Sequence, residues 1–202
     1  MNSINLNIQG HVKIFNPKTG EIFVDKSNAI HYENFSEALA QSIANKGKHY
    51  IYEMHFGNGG TSIDPTGVIT YLPPNSTQLN AALYNQTYYK IIDDTSILNA
   101  DQLRNKVDPR HIPGTTYTDI LISCLLDFGE PSNQAAFDNS QNLDGEYVFD
   151  ELGLFGYSSA GAGTGPLLTH ITFHPVQKSL NRLIQIDYTV RISALTNLSS
   201  IG

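Results

Sequence analysis

Ile184-Gln185-Ile186-Asp187-Tyr188-Thr189-Val190-Arg191-Ile192 alternates apolar and polar side chains without a break. A period of two puts Ile184, Ile186, Tyr188, Val190 and Ile192 on one face of a β-strand and the polar residues on the other, so one face is core and the other is wet. Burying five such side chains contributes on the order of 7 to 15 kcal/mol before chain entropy is subtracted. The chain is therefore expected to be β-rich, with this strand central to its stability.

Working outward, Tyr147 to Phe155 and Leu167 to Phe173 read as two further strands, the second separated from Leu183 to Ile192 by Pro175-Val176-Gln177-Lys178. From Thr118 to Phe128, the residues Thr118, Ile120, Ile122, Cys124, Leu126 and Phe128 share one face, and the opposite face is mixed, as in a central strand. Near the start, His11 to Phe15 and Glu21 to Val24 flank the turn-forming Asn16-Pro17-Lys18-Thr19-Gly20 and predict a hairpin. Asn34 with Glu37 three residues later follows capping-box logic, and Phe35, Leu39 and Ile43 form one stripe, so a helix is expected over about 34–46, ending before Gly47. Tyr50 to Phe56 is another strand candidate. Residues 57–114 are the least regular part, with Leu79 to Ile92 expected as a short helix followed by a strand, and Pro131 to Asp144 reads as loop.

The 202 residues fit one all-β domain, and 40% hydrophobic content supplies a packed interior. Only 15% of residues are charged, and the net charge is −7 with no Lys/Arg cluster, so most of the surface repels a phosphate backbone and nucleic acid is not an expected partner. No window approaches the roughly 18 apolar residues of a membrane span, and the N-terminus lacks the pattern of a leader, so a soluble protein without membrane partners is expected. Cys124 is the only cysteine, which leaves it as a small buried hydrophobe.

Several patterns were weighed as chemistry. His170 and His174 share a strand face roughly 13 Å apart, too far for one metal, and the histidines are expected to face the surface. Asp138 to Gly145 alternates oxygen side chains as a calcium loop does, but lacks the Gly and Glu that such a loop needs. Gly57-Asn58-Gly59-Gly60 has no following Lys-Ser/Thr and reads as a tight turn requiring positive φ. Asp93 and Asp94, the one candidate acidic pair for a hydrolase, would point to opposite faces of a strand. Tyr84, Tyr88 and Tyr89 offer a carbohydrate platform, though with no Trp in the chain core packing is the expected role of most aromatics. No nucleophile motif is present, and no catalytic residue, metal or cofactor is assigned.

Three segments then carry a resemblance. They are Phe23-Val24-Asp25-Lys26-Ser27-Asn28 before the helix, Met54-His55-Phe56-Gly57-Asn58-Gly59-Gly60-Thr61, and Glu151-Leu152-Gly153-Leu154-Phe155 followed by a hairpin into a strand with Lys178 before the last strand. In that order, across residues 22–195, they resemble structural proteins of tailed bacteriophages from tails, necks, baseplates and fibre attachments. The resemblance implies an antiparallel β-sandwich-like domain with one helix and long loops, no cofactor and no enzymatic activity. It implies a virion location, reached by assembly in the host cytoplasm, with copies of itself and other virion proteins as partners. Gly57, Asn58, Gly59, Gly60, Leu154, Phe155 and Lys178 are the interface or loop candidates, and one of Leu154 and Phe155 is expected to face a groove or partner. Contacts are further expected from 57–114, 129–146 and the chain ends. Capsid decoration and carbohydrate-binding host recognition are the alternatives.

Overall fold

A computed structural model describes residues 4–46, 49–77, 81–131 and 146–196. The expected architecture is present: the protein is mostly β, with one antiparallel sheet of nine strands, curled over its own core, and one short helix.

In chain order the elements are β1 (Ile4–Phe15), β2 (Ile22–Ile30), α1 (Tyr32–Ile43), β3 (Ile51–Gly57), β4 (Thr61–Ile63), β5 (Ile69–Tyr71), β6 (Gln86–Ile91), β7 (Lys106–His111), β8 (Tyr117–Leu126), β9 (Glu146–Gly156), β10 (Leu167–Ser179) and β11 (Ile184–Thr196). The large sheet runs β6-β3-β9-β10-β2-β1-β11-β8-β7, and β4 and β5 form a separate two-stranded hairpin. β2 joins the two halves of the sheet. Its first part pairs with β1 up to Gly10↔Asn28, and its last residues pair with β10 at Ala29↔His170 and Ile30↔Thr169. Changing partners within one strand turns a flat sheet into a curled one.

The alternation that began the reading sets the register of one half. β11 lies between β1 and β8, with Ile186 opposite both Ile14 and Cys124, and Tyr188 opposite both Val12 and Ile122. These apolar faces meet Met54, Phe56, Phe149, Leu152, Leu154, Ile171 and Phe173 from the other half in one continuous core. Phe149 is its aromatic centre, edge-on to Phe56 at 5.4 Å and to Phe173 at 5.8 Å. The Tyr188 hydroxyl donates to Thr169 Oγ1 at 2.6 Å, a polar tie across the two halves. Burial pushes the Cys124 thiol up to about 12, which keeps it protonated and inert.

The two edges of the sheet are bridged by the chain between them. Lys90 on β6 donates to the Leu125 carbonyl of β8 at 2.7 Å, and Asn105 Oδ1 accepts from Leu125 N at 2.9 Å. Asn99 Nδ2 donates to the carbonyls of both Asp93 and Asn105, which folds residues 93–105 into a fixed turn.

Several local expectations are corrected. Residues 57–114 hold four strands, β4 to β7, and residues 81–85 form no helix; residues 78–80 lie outside the described residues. β1 starts seven residues before His11 because its first half pairs with β11 as far as Ile4↔Thr196. β10 runs through Pro175 to Ser179, its pairing with β9 shifting register between Thr172 and Val176 to accommodate a residue that cannot donate to the ladder. The helix starts at Tyr32, not Asn34. His31 is its N-cap, with Nδ1 accepting from Asn34 N at 3.3 Å, while the Asn34 amide donates to the Leu167 carbonyl. An imidazole nitrogen thus does the work expected of an Asn side chain. Of the apolar stripe only Phe35 is buried; Leu39 is half-buried and Ile43 is 78% exposed. The Asp138 to Gly145 loop and nearly all of 131–144 lie outside the described residues.

Removing a filled position from the first half of the core tests this packing. Ile186→Ala should lower the unfolding free energy by about 3 kcal/mol in urea titrations, whereas Leu121→Ala, on the wetter face of β8, should cost less than about 1 kcal/mol.

Candidate functional site

Polar, ionisable side chains interrupt otherwise apolar strands at Glu53 and His55 of β3, Asp150 and Glu151 of β9, and His170 of β10, and all five are buried. A buried charge is costly unless its hydrogen-bonding capacity is filled. Here the partners are the loops that cover this side of the sheet.

Glu151 is completely buried. Its Oε1 accepts from Gly59 N at 3.1 Å and Asn85 N at 2.8 Å, and its Oε2 accepts from Tyr84 N at 2.8 Å and His170 Nε2 at 3.0 Å. His170 Nδ1 in turn accepts from Asn75 N at 2.8 Å, which fixes the tautomer with the proton on Nε2. Burial raises the Glu151 carboxyl, but the bonds from His170, Asn85 and Tyr84 outweigh it and hold the group below the usual carboxylate range. Beside it, where the β9–β10 register shifts, Asp150 accepts from Gly60 N at 2.8 Å, Thr61 N at 2.9 Å and the Thr61 hydroxyl. For Asp150 desolvation wins, and the carboxyl is raised.

A second pair repeats the device. Glu53 accepts from Gly163 N at 3.0 Å and from His55 Nε2 at 2.7 Å, and His55 Nδ1 meets Gln86 Oε1 at 2.7 Å. The His55 ring stacks on Phe155 with centroids 3.7 Å apart. These groups are satisfied by the chain's own backbone and side chains. Their arrangement anchors the loops to the sheet.

The expected site residues are distributed accordingly. Gly57, Asn58, Gly59 and Gly60 wrap around Glu151 and Asp150, and none of the three glycines has positive φ. They are glycines because of proximity. A Cβ on Gly57 would lie 2.4 Å from Glu151 Oε1, on Gly59 2.7 Å from Asn85 N, and on Gly60 2.8 Å from Asp150 O. Asn58 Oδ1 accepts from Asn85 Nδ2 at 2.6 Å. Leu154 and Phe155 point to opposite faces and both are buried: Leu154 lies in the main core, and Phe155 packs with Leu83 and Leu167 in a smaller cluster. Lys178 lies apart from these residues and is fully buried, donating to the Ser179 carbonyl at 2.8 Å.

Other expectations change as well. His31, His55 and His170 are buried rather than surface-facing, although His174 is exposed. Tyr88 is buried, Tyr89 lies against His55, and only Tyr84 is open, so the three tyrosines make no shared platform. Asp93 is buried and Asp94 exposed. Among the described residues no group of three or more metal-ligating side chains converges, and no helix is long and apolar enough to cross a membrane. The residues that the sequence reading passed over, Glu53, His55, Asp150 and Glu151, carried a usable signal: charges in the middle of apolar strands.

Some large apolar side chains are exposed. On the 93–105 turn Ile97 is 96% exposed and Leu103 87%, and on the β4–β5 hairpin Ile63 is 64% exposed. No family model, curated protein or solved structure matches the chain.

Two substitutions probe the buried charges. Glu151→Gln presents an amide where donors converge, and should cost about 3 kcal/mol and accelerate hydrogen exchange at Gly59, Tyr84 and Asn85. Because the folded Glu151 carboxyl is depressed, its stabilisation is complete above the unfolded value of about 4.3 and fades as pH falls through the lower folded value. The variant should lose that acid limb. Burial, opposed by Glu130 and Asp127, pushes the Lys178 ammonium down to about 8. Between about 8 and the unfolded value of about 10.4 the unfolded chain binds more protons, so stability rises with pH, and Lys178→Met should flatten that rise in urea titrations.

Proposed function

We propose that this chain is a structural component of a tailed-bacteriophage particle, at a tail, neck or baseplate position, acting by association with copies of itself and with other virion proteins. The observation that carries this reading is the display of large apolar side chains on loops whose backbones are tied down. Ile97 and Leu103 project from a turn held by Asn99, by Asn105 and by Arg104, which pairs with Asp101 and Asp127. Two large aliphatic side chains held out on one ordered turn offer a contact, and a pre-ordered loop loses little entropy on docking.

The segment order read from the sequence supports the same reading, as does the internal use of the buried charges, which serve packing rather than turnover. A low charge content also suits a protein with much of its surface in contact, since interface centres are depleted in Lys, Glu and Asp.

Light scattering of the purified chain and quantitative mass spectrometry of the phage particles produced with it test the proposal. A defined oligomer, or a fixed copy number per particle that Ile97→Lys with Leu103→Lys abolishes, is expected. A monodisperse monomer absent from purified particles would overturn the reading.

A further inference from the structure

The curl leaves a cleft of about 620 Å³ where α1 overhangs one end of the sheet. Phe35 and Leu39 of the helix face Val107 of β7, Ile120 of β8 and Ile192 of β11 across it. The volume lies within the range of pockets that enclose a ligand, roughly 300 to 1,000 Å³.

One wall differs from the rest. Tyr50, Asp93, Asp94 and Thr95 line it, and no Lys or Arg among the described residues does. Asp93 is 7% exposed, and its Oδ1 accepts from Thr95 N at 2.9 Å and Thr95 Oγ1 at 2.8 Å. No donor among the described residues reaches its other oxygen. Asp94 adds a second negative charge, and the Tyr50 ring, stacked on Tyr157 at 5.5 Å, adds an electron-rich face. A carboxylate with one oxygen that no donor among the described residues fills, beside an apolar hollow, suits a cation carried on an aliphatic body.

We infer that this cleft receives an apolar segment of a partner protein bearing one Lys or Arg, whose charged head meets Asp93 while its flanking side chains fill the space between α1 and β7. The inference rests on the assembly reading for the existence of such a partner. It specifies the partner's chemistry and excludes acidic segments and free carboxylates, which Asp93 and Asp94 repel.

The test uses the full chain and synthetic probes, followed by calorimetry and methyl NMR. The probes are the capped pentapeptide Leu-Val-Lys-Leu-Val, its counterparts with Glu or norleucine at the centre, and octylammonium as a free amphiphile. The Lys peptide should bind saturably, shift the methyls of Val107, Ile120 and Ile192, and exceed both counterparts about tenfold. Asp93→Asn, which keeps the acceptor for Thr95, should erase the preference for Lys over norleucine, and Leu39→Trp, which fills the cleft, should remove binding of every peptide. Should Asp93→Asn fail to fold, Asp94→Asn, expected to weaken the same preference in part, replaces it. The inference is overturned if the Lys peptide binds no better than the norleucine one, if the preference survives both Asp substitutions, or if octylammonium binds and no peptide does. A chain found at fixed copy number in particles yet indifferent to the Lys peptide would sink the cleft assignment and leave the assembly reading standing.

Discussion

Glu151 takes hydrogen bonds from three backbone N–H groups and one imidazole at a fully buried position on the outer side of β9. The donors come from segments far apart in the chain, Gly59 at the end of β3, Tyr84 and Asn85 before β6, and His170 on β10, so one carboxylate fixes the relative placement of all of them. With Asp150 holding Gly60 and Thr61, and His170 holding Asn75, the covering segments 58–77 and 81–85 are fixed in place with little regular structure of their own. Desolvating a charge is costly, and the cost is offset only when every donor is in place, which makes the arrangement intolerant of alternatives.

That anchoring works because the sheet beneath is itself determined by a different force. The core is aliphatic and aromatic, gathered by the period of two in β1, β8 and β11 and by Phe149 at its centre. β2 changes partners between Asn28 and Ala29, and this single switch lets two ladders share one interior. The hydrophobic effect supplies most of the stability and little of the specificity; the buried Glu and His side chains define which loop lies where.

Much of the sheet was legible in the sequence because half-buried strands announce themselves by alternation. β8 and β9 lie close to their expected limits, β11 runs past Ile192 to Thr196 along β1, and Ile186, Tyr188 and Cys124 lie inside as expected. The helix was visible, but its cap was not, because His31 acts through a ring nitrogen that no simple capping pattern anticipates. β4, β5 and β7 were hidden for the opposite reason: they are short or lie at an edge, and Pro109 and the charges of β7 look like loop chemistry. The glycines at 57–60 were recognised as special and given the wrong physical cause, backbone freedom in place of lack of room. That cause depends on Glu151, nearly a hundred residues away, and no local window contains it.

Among the described residues β11 is the last strand along the chain, and yet it lies inside the sheet, between β1 and β8. Each neighbour keeps one unpaired edge until β11 is inserted between them, and on the β1 side that pairing joins opposite ends of the described chain. Closure of the core is therefore the most non-local step of folding. A copy without β11 cannot complete the sheet on which the turn carrying Ile97 and Leu103 rests.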